Sequence, residues 1–186
     1  MIYATVGTQL PFDRLVSAVD WWAELRGRND VFMQIGQTMF RPQHAAYQQF
    51  LDPLEAQAKL ESASLIISHA GMGTIISALE LGKPIIVLPR RAGLGEHRND
   101  HQLATVKQLS RLSLVTVAMD EQELLEQLDH CNDAVVSRRI GSSASEPLIG
   151  SIREFLQDAA EVRSESRGWR SFLGRPLHWR LQTRLP

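Results

Sequence analysis

The chain has 186 residues, is 44% hydrophobic and carries a formal net charge of −1, enough for one good core, or one core with an appendage, and too evenly charged for a general nucleic-acid binder. Its single cysteine, Cys131, excludes an intramolecular disulfide and fits a reducing, cytosolic compartment. The N-terminus has no basic segment leading into an apolar core, so no secretory signal is read there, and no apolar run approaches the ~20 residues that span a bilayer. Membrane contact is therefore expected to be peripheral or through a partner.

In chain order, the apolar run 2–6 predicts a strand, 12–25 a helix and 31–35 a second strand. Two helical pieces are expected over 43–51 and 54–61. A strand over 65–68 runs through the turn Ser68-His69-Ala70-Gly71-Met72-Gly73-Thr74 into a helix over 75–81. There follow a strand over 84–88, a helix over 99–109, a strand over 114–117 and a helix over 120–128. Alternation of this kind predicts an α/β fold, a Rossmann-like doubly wound and mostly parallel sheet. The continuous apolar runs are those of strands buried on both faces. We read residues 1–130 as this domain and 131–186 as an appendage: a polar linker over 137–145, a helix over 146–162 and a tail over 163–186. The tail carries six arginines against one acidic residue, Glu165, interleaved with Trp169, Phe172 and Trp179. Such a tail suits a membrane surface or a partner groove, or is a loosely docked terminus.

In a doubly wound sheet, ligands gather at the carboxyl ends of the strands. That edge holds Gly7-Thr8-Gln9, Gln34 to Gln37, Ser68 to Thr74 and Pro89 to Gln102. The glycine turn opening a helix is suited to a phosphate: glycine lets the backbone approach closely, the helix start presents unpaired N–H groups with a partial positive charge, and Thr74 adds a hydroxyl. The same Gly-x-Gly is also an ordinary tight connection, and the turn alone does not choose. His97 and His101, spaced i, i+4 around Asp100, are a poor metal pair, because the zinc-protease pattern needs its glutamate directly after the first histidine and Glu96 precedes it. No Asp-x-Asp occurs, so a metal-bridged diphosphate is not read from the sequence.

Three blocks in order, Ser68-His69-Ala70-Gly71-x-Gly73-Thr74, Leu81-Gly82-Lys83-Pro84-Ile85-Ile86-Val87-Leu88-Pro89 and Asn99-Asp100-His101-Gln102, resemble the C-terminal, nucleotide-sugar-binding domain of family 28 glycosyltransferases. This is one half of the two-domain GT-B architecture. With the opening Val6-Gly7-Thr8-Gln9 and Pro11 to Leu15, the chain is similar to small catalytic subunits of split glycosyltransferases. These include subunits of dolichol-linked glycan synthesis and their bacterial counterparts in capsule and exopolysaccharide assembly, to which Gly95 to Gln102 looks closest.

The resemblance covers about residues 1–130 and implies a donor-binding set of Gly7, Thr8, Gln9, His69, Gly71, Met72, Gly73, Thr74, Ser77, Asn99, Asp100 and Gln102. The loop from His69 to Thr74 would contact the donor diphosphate and the block ending at Gln102 the sugar hydroxyls. His69 has two roles open, a hydrogen bond to a phosphate oxygen or holding the turn; Thr8 contacts the donor or caps a helix. Many related enzymes carry an acidic residue for the ribose at the position of Ser77; serine is a weak substitute, and Glu80 lies far from the helix mouth. Glu96 and His97 are reserve candidates for the general base, each also readable as a sugar contact or a loop-structuring residue, with the base otherwise on a partner.

One Rossmann-like half implies a separate, membrane-associated subunit presenting a polyprenyl-diphosphate-linked saccharide, with this chain peripheral at the cytoplasmic face. The implied reaction is inverting transfer of a hexosyl unit from a UDP-sugar, with no cofactor or metal. Two readings stay open: a donor-binding catalytic subunit, or a non-catalytic enhancer that keeps the fold and the partner surface. Self-association of the lone chain through that surface is a further expectation, as is the absence of a nucleic-acid partner.

Overall fold

The computed structural model describes residues 1–111 and 115–130, all within one compact unit, Met1–Gly141. The linker, helix and tail expected beyond residue 130 lie outside the described residues. Six strands, β1 (Ile2–Thr5), β2 (Val31–Gln34), β3 (Ala46–Gln48), β4 (Leu65–His69), β5 (Ile85–Leu88) and β6 (Thr116–Val117), form one sheet in the order β3-β2-β1-β4-β5-β6. All five pairings are parallel, so every strand ends on the same edge. Four α-helices connect them, α1 (Asp13–Leu25), α2 (Pro53–Ser62), α3 (Met72–Glu80) and α4 (His101–Arg111), and α5 (Glu121–His130) follows β6.

Successive side chains of a strand point to opposite faces, so an unbroken apolar run serves two cores. Ile2, Ala4, Val6, Leu65, Ile67, Ile86 and Leu88 meet α1 (Leu15, Val16, Val19, Trp22) and α5 (Leu124, Leu128) on one face. Tyr3, Ile66, Ile85 and Val87 meet α2 (Leu60), α3 (Ile75, Ala78, Leu79) and α4 (Val106) on the other. Ile66 and Ile67 are both fully buried; each side chain stabilises the fold by about 1.5–3 kcal/mol through burial.

The expected helix over 43–51 is corrected by the structure: that stretch contains β3, an edge strand paired with β2. The link from β2 to β3 is a strap over 35–45 without a helix. Its chain is held by acids of α1: the buried Asp20 carboxylate accepts from the backbone N–H groups of Gln43, His44 and Ala45, each at 2.9 Å, and Asp13 accepts from that of Phe40 at 2.6 Å. N–H groups spent on a neighbouring carboxylate are lost to a helix, and the strap delivers Ala46 extended against Phe32. By contrast, α2 starts on a local signal, a reciprocal capping box between Asp52 and Glu55 with Pro53 in the first turn.

The chain runs outward from β1 to β3 and returns beside β1 with β4, which places the point where strand order reverses between β1 and β4. Thr5 pairs with Ser68, and Ser68 with Val87, so the loops leaving β1, β4 and β5 emerge side by side. A crevice at such a reversal is the expected ligand position.

Candidate functional site

The three loops enclose a cleft of about 410 Å³ lined by Gly7, Thr8, Gln9, His69, Gly71, Gly73, Thr74, Arg90, His97 and Gln102, with Val6 and Leu10. Its floor is the start of α3. Gly71 is the N-cap residue and offers no side chain to the helix; the N–H groups of Met72, Gly73 and Thr74 take no partner among the described residues, the first turn bonding only from Ile75 back to the Gly71 carbonyl. A helix start with open amides and no acidic residue in its first turn is electropositive and unsatisfied, the condition that favours an anion.

His69 stands at the centre of the wall. Its ring lies between Gly7 and Gly71: a Cβ on Gly7 would approach His69 Cε1 to 2.6 Å, and a Cβ on Gly71 would approach Nε2 to 2.3 Å. Gly7 is also left-handed, at φ +74°. These two glycines are therefore required by the histidine packed between them, whereas a Cβ on Gly73 would meet nothing within 4 Å. Burial first, and then the Arg90 charge, lower the His69 pKa to about 4, so the imidazole is neutral at pH 7. Ser68 Oγ lies 3.4 Å from Nδ1, and a hydrogen bond with the Thr5 backbone works against the lowering of the pKa.

The loop after β1 is fixed from β2. Thr5 Oγ1 donates to Gln34 Oε1 and accepts from the Gly7 N–H at 3.1 Å, while Gln34 Nε2 donates to the carbonyls of Gly7 (3.0 Å) and Gln49 (2.9 Å). The loops after β4 and β5 are joined by Gln102, whose Oε1 accepts from the N–H groups of Ala70 (3.2 Å) and Arg90 (3.0 Å).

Of the residues read from the sequence, Gly7, Thr8, Gln9, His69, Gly71, Gly73, Thr74, His97 and Gln102 are brought to one cleft, while Met72, in the first turn of α3, does not line it. Ser77, Asn99 and Asp100 do not line it. Ser77 sits one turn further along α3. Asp100 accepts from the Ala92 N–H at 2.9 Å and Asn99 Oδ1 from the His101 N–H at 3.3 Å, so both fold the loop that leads into α4. Glu96 is also outside the cleft wall. Its carboxylate takes Arg14 Nε at 2.7 Å, Arg14 Nη2 at 2.9 Å and the Arg91 N–H at 2.9 Å. With its carboxylate spent on Arg14 and the Arg91 N–H, of the roles open to Glu96 the geometry favours loop structuring. Against the burial that works on its charge, Glu96 and Glu121 hold the Arg14 pKa above its usual value. His97 stays at the cleft, its Nδ1 3.0 Å from the Asn99 carbonyl.

Arg14 and Arg90 escape sequence reasoning. Arg14 meets Glu96 across 82 positions of chain, a pairing with no local signal. Arg90 carries one clue, a charge directly after the strand and proline that end at the ligand edge. A second, narrower slot of about 170 Å³ is also new; it shares Gly7, Thr8 and Thr74 with the cleft and is otherwise lined by Tyr3, Thr5, Gln34, Phe50, Leu51, Ala56 and Leu60. Among the described residues, no group of three His, Cys, Asp or Glu side chains converges as a metal site, and no helix is long and apolar enough to cross a membrane.

Residues 1–160 match the sequence profile of the glycosyltransferase family 28 C-terminal domain. The chain belongs to this family. The human UDP-N-acetylglucosamine transferase subunit ALG13 is 33% identical over 120 residues, which is 59% of this chain and 10% of that protein. The chain thus aligns with a small part of that relative's length. Among solved structures, the solution structure of ALG13 superposes with a TM-score of 0.53 at 17% identity, covering 82% of this chain and 94% of that one. Acinetobacter baumannii MurG gives 0.50 at 20% identity over 71% and 41%. At these identities the likeness is one of fold, and it identifies this family 28 domain as a single Rossmann-like GT-B half.

Proposed function

We propose that this family 28 domain is the donor-binding subunit of a two-component UDP-sugar glycosyltransferase, with the cleft as its nucleotide-sugar site. The observation that carries the reading is the uncapped start of α3, whose open amides include those of Gly73 and Thr74 at a cleft also lined by a neutral histidine and an arginine. The diphosphate is placed on Met72 to Thr74 with His69 Nε2 as a further donor, and the planar base fits the adjoining slot beside Phe50 and Leu51. As the anomeric bond breaks, charge collects on the departing diphosphate. Donors already fixed there stabilise the transition state more than the ground state.

The reaction is read as an inverting single displacement in which an acceptor hydroxyl attacks the anomeric carbon. With Glu96 bound to Arg14, His97 is the remaining base candidate on this chain, and the partner supplies the base otherwise. The acceptor half belongs to a second, membrane-associated chain holding a lipid-linked saccharide at the cytoplasmic face; the bacterial exopolysaccharide or capsule setting rests on the Gly95 to Gln102 block. The enhancer reading is favoured by one observation: Ser77, at the ribose position, lines neither cavity.

Calorimetric titration with UDP and a panel of UDP-sugars tests the proposal, repeated on Gly73→Asp. A Cβ is tolerated at Gly73 and a carboxylate suits a helix N-terminus, so the variant should fold while repelling a phosphate. UDP binding that vanishes in Gly73→Asp, with one sugar preferred, supports the donor subunit. Binding only when the membrane subunit is co-expressed means that the partner completes the site. No binding in either state leaves the enhancer.

A further inference from the structure

The geometry points to Arg90 as a diphosphate-binding residue, a fixed counter-charge built into the wall of the donor cleft. The inference deepens the donor-site reading and rests on it. Arg90 follows β5 after Pro89 and is 2% exposed, yet among the described residues it forms no ion pair, whereas carboxylates pair with Arg14, Arg26 and Arg28. Glu96, whose charge Arg90 feels, is itself bound to Arg14.

In place of a carboxylate, Arg90 has carbonyls. Nη1 donates to those of Pro11 and Glu96, and Nη2 to those of Val6 (2.8 Å) and Leu10 (2.7 Å), with the guanidinium carbon 4.5 Å from the centre of the Phe12 ring. The carbonyls satisfy the four Nη N–H groups and knit the β1 loop to the β5 loop. They do not neutralise the cation, and burying an unpaired charge is costly. Joining two loops needs only hydrogen bonds, so the full charge is surplus to that task.

Arg90 lines the cleft with His69, Gly73 and Thr74, and its field reaches across: the Arg90 charge is second only to burial in holding the His69 pKa down. Burial likewise lowers the Arg90 pKa to about 10, which still leaves it charged at pH 7. A nucleoside diphosphate supplies the negative charge that the protein withholds. Because four backbone tethers fix the guanidinium, no reorganisation is required when charge develops on the leaving group.

The test compares UDP with uridine, which offers the same base and ribose without the phosphates. In the 186-residue chain, Arg90→Met should weaken UDP binding ~10-fold or more while uridine binding stays within about 2-fold, and Arg90→Lys should restore most of the UDP affinity. Equal losses for UDP and uridine in Arg90→Met would reduce Arg90 to a loop tether and overturn the inference. Should Arg90→Met fail to fold, the wild-type Arg90 Nε–Hε resonance gives the answer: it should shift on saturation with UDP and not with uridine, and a resonance unmoved by bound UDP overturns the inference. Wild-type chain that binds neither ligand, alone or with its partner, removes the donor-site reading as well; binding that ignores Arg90 removes this inference alone.

Discussion

Three glycines of the cleft are expected to respond to alanine with different signs, and the contrast tests the packing of His69 directly. At Gly71 the new methyl would lie 2.3 Å from Nε2 and 2.8 Å from Cε1 of a ring that Gly7 confines on its other side. Forcing one carbon into such a site costs about 1–3 kcal/mol. Gly7→Ala meets the same ring at 2.6 Å and adds about 1–2 kcal/mol for a side chain in the left-handed region, so it should be the worse of the two. Gly73→Ala meets nothing and lies in the first turn of α3, where alanine should stabilise by about 0.5 kcal/mol. Urea denaturation of each variant, repeated in a His69→Ala background, reads the effect. With the ring gone, the Gly71→Ala penalty should fall below about 0.5 kcal/mol, and Gly7→Ala should retain only its backbone part. Gly71→Ala as stable as wild type, or as costly without His69 as with it, would refute the claim that these glycines exist to house the histidine.

Stability should also report the His69 environment through pH. Its folded pKa, about 4, lies below the ordinary value of 6.5, so the unfolded chain takes up the proton first as pH falls. The contribution is complete above pH 6.5 and is lost between about 6.5 and 4, amounting to about 3 kcal/mol; denaturation midpoints across that window should slope, and His69→Gln should flatten them. Below it, Asp129, held down to about 2 first by its hydrogen bond from Arg26, and Asp30, lowered first by Arg28, add their own loss of stability. Glu96→Gln should cost about 2–4 kcal/mol by leaving the half-buried Arg14 without its bidentate partner, and a double-mutant cycle with Arg14→Met should show strong coupling. If the assembled enzyme carrying Glu96→Gln lost turnover while its donor affinity and stability were untouched, Glu96 would return as the base. Asp20→Ala should cost about 2–4 kcal/mol and speed amide exchange across Ala46–Gln48, because three N–H groups lose one buried acceptor; unchanged exchange there would remove Asp20 as the anchor of β3.

Much of this protein was legible in its sequence, because its information is local or periodic. Continuous apolar runs at 2–6, 65–68 and 84–88, alternating with helical patterns, read as strands covered on both faces, and the glycine turn between a strand and a helix reads as their connection at the ligand edge. Boundaries moved by a few residues, most at α3, which begins at Met72 and so absorbs the second glycine into its first turn. The run 43–51 misled because its strand character comes from Asp20, more than twenty positions away.

The sequence by itself determined the α/β class, the parallel sheet and the gathering of Gly7, His69 to Thr74, His97 and Gln102, since period, turn chemistry and the common exit edge of parallel strands set these. Only the tertiary structure decided which of the polar residues face the cleft and which hold the loops. Glu96 is drawn into the Arg14 pair, Asp100 and Asn99 into the loop before α4, and Arg90 is driven into the wall without a counter-ion. The Glu96 and Arg90 assignments depend on distance and burial across 82 and 84 residues of chain. A charge in a sequence carries neither until folding has chosen its neighbours and removed its water.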